Sequence, residues 1–164
     1  MTSAHPVLTL INRCDALAQQ FDTTFAASCK LLTDVANGNI SPSGPQTMDE
    51  ALMALRDTLE TCEATVSQMQ GCVWEDIPHL LNQLDSGGEA GVGNWNPRQA
   101  LTDISELFYS YSDLLLKRRE LLADFTCEEI SPAEFVRSWT NIDSNLAMQR
   151  KQQVDDLADL LAAF

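Results

Sequence analysis

Cys72, Glu75, Asp76 and His79 fall within eight consecutive residues, and thiolate, carboxylate and imidazole are the donors that hold divalent transition metals. Asp76 and His79 sit three apart, so a regular helix would put them on one face. Pro78 interrupts that face, because a proline ring inside a helix clashes with the carbonyl four residues back. A di-iron bundle site would further need two Glu-x-x-His repeats and two more carboxylates, and the chain has no Glu-x-x-His. No metal and no cofactor is the expectation.

Cysteine beside histidine would also suit nucleophilic catalysis, which needs a thiolate. The acidic surroundings of these cysteines are expected to raise the thiol pKa and work against it. The five cysteines, at 14, 29, 62, 72 and 127, are odd in number and widely spaced, with no Cys-x-x-Cys. Neither a disulfide framework nor a zinc module follows, and the thiols are expected to be reduced. His5 falls in a terminal stretch, and no serine nucleophile elbow is present. The stretch from Asp85 to Asn94 holds four of the seven glycines, but it lacks Gly-x-x-x-x-Gly-Lys and no strand precedes it, so it reads as a linker and not a phosphate cradle. No catalytic residue is expected, and the chain is read as a non-enzyme.

Partners come next. The chain carries 24 Asp and Glu against 10 Lys and Arg, a net charge of -14. Direct nucleic-acid binding is not expected, because it draws on clustered cations that displace counterions from phosphates. The same charge repels anionic membranes and favours a basic protein surface. No window reaches the roughly 18 apolar residues of a membrane span, and Met1 to Pro6 lacks the basic region of a secretory signal. An intracellular protein, nuclear or cytoplasmic, is the expectation.

The elements that must position these residues are helical throughout. Val7, Ile11, Cys14, Ala18, Phe21, Phe25, Ser28, Leu32 and Val35 recur at intervals of four and three, a ladder that predicts one long helix over 6–36 ending at Asn37-Gly38. A linker over 38–47 follows. Thr47 and Glu50 form a capping box for a second helix over 48–84, with rungs at Leu52, Leu55, Leu59, Cys62, Val66, Met69 and Val73 and a bend near 74–78. After a linker over 85–95, Asn96, Pro97 and Gln99 start a third helix over 97–126, with rungs from Leu101 and Ile104 to Leu122 and Phe125. Ser131, Pro132 and Glu134 start a fourth over 132–163. Its pattern lapses from Gln149 to Gln153, so its last turns are expected to fray or bind elsewhere. Apolar residues at 45% and charged at 21% suit a globular chain. The expected fold is all-α: one domain over 1–164, four long amphipathic helices as an antiparallel helical bundle or coiled-coil hairpins.

Two tryptophans frame the third helix. Trp95 precedes it, and Trp139 sits in the fourth; each either caps the bundle core or anchors a partner. Between them stands Leu114-Leu115-Leu116-Lys117-Arg118, and Lys117-Arg118-Arg119 is the densest basic run. That run is too short for an import signal or nucleic-acid patch and reads as a solvated helix face, although Arg118 falls on the ladder.

The order Trp95, Pro97, Leu107-Phe-Tyr-Ser-Tyr-Ser-Asp-Leu-Leu-Leu-Lys-Arg118, a polar turn, then Phe135-Val-Arg-Ser-Trp139 resembles the C-terminal half of the cyclin-dependent kinase 2-interacting protein family. Two departures stand out: Asn96 separates Trp95 from Pro97, and Thr-Asn-Ile-Asp-Ser follows Trp139 where the family has a His-Gln-Pro-Tyr-like segment. The resemblance implies a non-enzymatic adaptor or scaffold subunit associated with cell-cycle and replication-initiation kinases, genome maintenance, or an AAA+ ATPase complex. It implies partner contacts through Trp95, Leu114, Leu115, Lys117, Arg118 and Trp139. The alternative is a structural coiled-coil subunit of a tethering or kinetochore-type complex, whose first two ladders pair with other chains.

Overall fold

The helices that start at Met48, Pro97 and Pro132 each begin where a side chain takes up backbone N–H groups left free in the first turn. The computed structural model describes residues 6–39, 42, 44–87, 96–141 and 144–163. Its elements are α1 (Pro6–Ala36), α2 (Met48–Gly71), a π-helical turn (Cys72–Asp76), α3 (Ile77–Gly87), α4 (Pro97–Thr126), α5 (Pro132–Thr140) and α6 (Ser144–Ala163). There is no strand among the described residues, and the fold is an all-α helical bundle.

The caps are those the sequence predicts, with changes of detail. Thr47 Oγ1 accepts from the Glu50 backbone N–H at 3.2 Å, while Glu50 Oε2 accepts from the Gln46 N–H at 2.7 Å, one residue earlier than a capping box requires. Asn96 Oδ1 accepts from the N–H groups of Arg98 and Gln99 at 3.0 and 3.3 Å. Gln99 does not close a box, because its amide donates to Asp103 instead. Ser131 accepts from Glu134 N–H at 3.2 Å, with Pro132 at the first helical position.

Helix ends follow one scheme twice. Gly38, with φ of 75°, takes the left-handed position after α1, and the Asn39 N–H reaches the Asp34 carbonyl at 2.8 Å. After α4 the same position is filled by Glu128 at φ 61°, and Glu129 N–H reaches the Asp124 carbonyl at 2.9 Å. Both are Schellman-type closures that satisfy the last carbonyls.

The ladders of α1 and α4 are buried almost rung for rung. From Val7 to Leu32 every predicted α1 rung lies inside, and Leu101, Ile104, Phe108, Tyr111, Leu115, Arg118 and Leu122 do the same on α4. In the second helix the inward face runs Leu55, Leu59, Cys62, Val66, Met69, Cys72, Ile77 and Leu80, so the step from 72 to 77 is five. The π-helical turn accounts for it. The Ile77 N–H bonds to the Cys72 carbonyl, five residues back, and this wider turn lets the helix continue through Pro78, which has no N–H and whose ring would crowd an ordinary turn.

The fourth helix departs most from expectation. It is two helices, α5 and α6, separated at Asn141, whose extended backbone (φ −71°, ψ 112°) ends α5. The side chain responsible is Arg118 of α4: its Nε and Nη2 donate to the carbonyls of Trp139 and Asn141 at 3.1 and 2.5 Å. A cation at a helix C-terminus satisfies carbonyls and opposes the helix dipole.

The chain folds into two compact units. Unit 1 is Met1–Gln19, Val66–Tyr111 and Asp143–Phe164; unit 2 is Gln20–Thr65 and Ser112–Ile142. Unit 1 holds parts of α1, α2 and α4 with the π-helical turn, α3 and α6, and unit 2 holds parts of α1, α2 and α4 with α5. Within unit 2, Arg119 pairs with Glu63 of α2, and Phe125 stacks on Phe135 of α5 at 4.4 Å between ring centres. Within unit 1, Arg13 lies 3.7 Å from Asp76 and Arg150 lies 2.7 Å from Asp15.

Candidate functional site

In unit 2 the sequence candidates converge on Trp139. Its side chain is fully buried, with the indole 5.9 Å from the Phe25 ring and 5.7 Å from the Phe135 ring. The indole N–H donates to Ser28 Oγ at 3.1 Å, and that hydroxyl donates to the Phe25 carbonyl at 2.6 Å. Arg118, 8% exposed, lays its guanidinium over Phe25 at 5.3 Å from the ring centre while holding the α5 carbonyls. A buried cation is tolerated only when paired and hydrogen-bonded, and here two carbonyls and a π-face serve.

This placement corrects the partner assignment at four positions. Trp139, Arg118, Leu114 and Leu115 are all buried, so they pack the unit and offer no surface for a partner to cover. Of the alternatives for Trp139, core capping is the one the geometry selects. Lys117 is exposed and pairs with Asp113 at 2.9 Å on its own helix, as a solvated face does. Trp95 lies outside the described residues. Ser28 was legible only as a rung; its role as acceptor for the indole depends on α5 arriving beside α1.

The chemistry-bearing residues around Cys72 do not converge on one point. Cys72 is buried, its free thiol beside the Cys14 thiol and the Asp76 carboxylate; Asp76 also faces Arg13, and His79 Nε2 lies 3.2 Å from the Gln83 amide. Among the described residues, no three His, Cys, Asp or Glu side chains are grouped to hold a metal ion. The thiols of Cys14, Cys29 and Cys62 are pushed up, whereas that of Cys72 is lowered by its hydrogen bond with Cys14; the expected rise is met at three positions and reversed at the fourth, and its cause is not the expected one. For Cys14 it is the hydrogen bond with Cys72 and then burial; for Cys29 and Cys62 it is burial. Acidic neighbours contribute little beside the loss of water around the thiolate.

Unit 1 contains a site the sequence did not suggest. Between α1, α4 and α6 lies a cleft of about 120 Å³. Its floor is Ile11, Ala100 and Ile104, and its walls carry Asp103 and Glu106 of α4 with Gln149, Gln152, Gln153 and Asp156 of α6. Ser110 ties the two helices by donating to Gln149 at 2.6 Å. Behind the wall, Arg150 pairs with Asp15 and donates to Gln153 Oε1 at 3.1 Å. Within the lapse in the ladder, Gln153 is buried and Gln149 and Arg150 are half-buried, while Lys151 and Gln152 stay exposed. Gln153 is 7% exposed, whereas Val154 and Leu161, rungs on the sequence reading, are about half exposed.

No protein-family model, curated protein or solved structure matches this chain.

Proposed function

We propose that this chain is a non-enzymatic helical adaptor, a scaffold subunit of a protein complex. The single observation that carries the reading is the set of large apolar side chains left on helix surfaces, foremost Trp74 and Met148, each 71% exposed, with Met53, Tyr109, Leu116 and Leu161. An indole on the outside of a helix leaves apolar surface in water with little packing to offset it, and tryptophan is enriched among binding hot spots. The thiols of Cys14, Cys29 and Cys62 support the same reading, because protonated, desolvated cysteines are poor nucleophiles. From the resemblance to the cyclin-dependent kinase 2-interacting protein family comes the setting: a complex linked to a cell-cycle kinase, to DNA replication or genome maintenance, or to an AAA+ ATPase, in the nucleus or cytoplasm.

The alternative is a structural coiled-coil subunit of a tethering or kinetochore-type complex. One observation favours it: Val154 and Leu161 are seven residues apart on α6 and both exposed, the spacing of a coiled-coil seam. Weighing against it, the α1 and α2 ladders are occupied inside the fold. Light scattering tests the self-paired form of this alternative, since a monomer at micromolar concentration leaves no self-paired coil.

Affinity purification of the tagged full chain with mass spectrometry tests the adaptor reading. A stoichiometric partner is expected, lost in Trp74→Glu at unchanged melting temperature. Recovery of no partner would overturn the proposal.

A further inference from the structure

We infer that Cys14 and Cys72 are a redox modification site, closing to a reversible disulfide when the chain meets a hydroperoxide, with Cys72 as the attacking thiol and Cys14 as the resolving one. The inference is independent of the adaptor reading. Cys14 lies on α1 and Cys72 opens the π-helical turn after α2, both within unit 1. Packing brings them together. Their side chains are 0% and 1% exposed, both thiols are free, and the two are hydrogen-bonded to one another. A disulfide needs side chains that point towards each other, and a thiol–thiol hydrogen bond meets that condition. The other cysteines are placed differently: Cys29 bonds to the Ser28 hydroxyl, Cys62 is raised by burial alone, and Cys127 is exposed.

A route to the pair follows from its neighbours. Arg13, next to Cys14, reaches Asp76 at 3.7 Å, and both side chains of that ion pair are about half exposed. Asp76 also hydrogen-bonds to Cys72, so the thiols lie one side chain beneath the surface. An exposed ion pair holds weakly, and its parting opens Cys72 to a molecule as small as hydrogen peroxide. The two thiols differ in readiness to react. Their shared hydrogen bond holds Cys72 below its ordinary value and, with burial, pushes Cys14 up; the thiolate is the nucleophile. The Cys72 thiolate attacks one peroxide oxygen, the O–O bond breaks, and the departing hydroxide takes the proton that the thiol released, leaving water and a Cys72 sulfenic acid. The Cys14 sulfur, giving up its own proton, then attacks the Cys72 sulfur; the S–O bond breaks and a second water leaves. Two electrons pass from the sulfurs to the peroxide, and a dithiol reductant reverses the bond by exchange.

The test uses the native full chain with Cys127→Ser, which removes the exposed thiol. It is treated with equimolar hydrogen peroxide, its remaining thiols are blocked with N-ethylmaleimide, and it is digested without reductant for mass spectrometry. A peptide pair joined through Cys14 and Cys72 is expected as the main cross-link, lost on addition of dithiothreitol. Cys14→Ala, which cannot resolve, should leave Cys72 as a sulfenic acid that dimedone labels. Cys72→Ala should leave Cys14 oxidised at least about tenfold less at the same dose, as its protonated thiol dictates. Should either variant fail to fold, the Cys127→Ser chain decides by itself: dimedone added with the peroxide should label Cys72 and suppress the cross-link. Absence of the Cys14–Cys72 cross-link, cross-links spread over the other cysteine pairs, a cross-link that forms only in urea, or dimedone on Cys14 in place of Cys72 would each overturn the inference.

Discussion

At the scale of single residues, the Trp139 cluster sets the energetics of unit 2. Ser28 accepts the indole N–H inside the core, so Ser28→Ala leaves a buried donor unpaired and is expected to cost about 1–3 kcal/mol in urea denaturation. Trp139→Ala should cost about 3–5 kcal/mol through the cavity it leaves, and any partner lost with it is lost with the fold. Cys62 gives a pH dependence of definite sign. Burial moves its thiol from 9.0 to about 11. Below pH 9 the thiol is protonated in both folded and unfolded chains, so stability does not depend on it. Between about pH 9 and 11 the unfolded chain loses the proton while the folded one keeps it, so stability falls as pH rises. Cys62→Val should flatten this part of the curve relative to the parent in thermal melts.

At the scale of elements, two glycines carry opposite predictions. Gly38 has φ of 75° and open space where a Cβ would stand, so Gly38→Ala meets only backbone strain and should destabilise by about 1 kcal/mol. Gly71 is right-handed helical, φ −58°, with equally open space; Gly71→Ala should stabilise by about 0.4–1 kcal/mol. Differential scanning calorimetry reads both signs. The same contrast explains what the sequence made legible. Gly38, Thr47, Asn96 and Ser131 act within a few residues of themselves, and the α1 and α4 ladders repeat with the helical period, so local reading suffices. The split between α5 and α6 depends on Arg118, 21 residues before Trp139, and no local pattern announces it. The five-residue step at the π-helical turn was hidden because Val73 continued the old ladder while the chain changed phase. The cleft was invisible for a related reason: the stretch around Arg150 reads only as a lapse in the apolar ladder, and the burial of Gln153 within it depends on where α6 meets α1 and α4.

At the scale of the whole molecule, charge and connectivity govern behaviour. With 24 acidic against 10 basic side chains, folding concentrates negative charge, and exposed pairs such as Lys117 with Asp113 offset little of it. Moderate salt is expected to raise the melting temperature by screening self-repulsion; a melting temperature that falls between about 20 and about 200 mM sodium chloride, as the screening length shortens, would contradict this. Connectivity has its own outcome. Each unit draws on segments from both sides of the stretch between α3 and α4: unit 1 takes Met1–Gln19 and Asp143–Phe164, unit 2 takes Gln20–Thr65 and Ser112–Ile142. A cut in that stretch therefore yields two fragments, neither of which contains a whole unit. Separately expressed, each should be unfolded with its apolar ladders exposed; co-expressed, they should reassemble by complementation, which makes this chain a natural candidate for a split reporter.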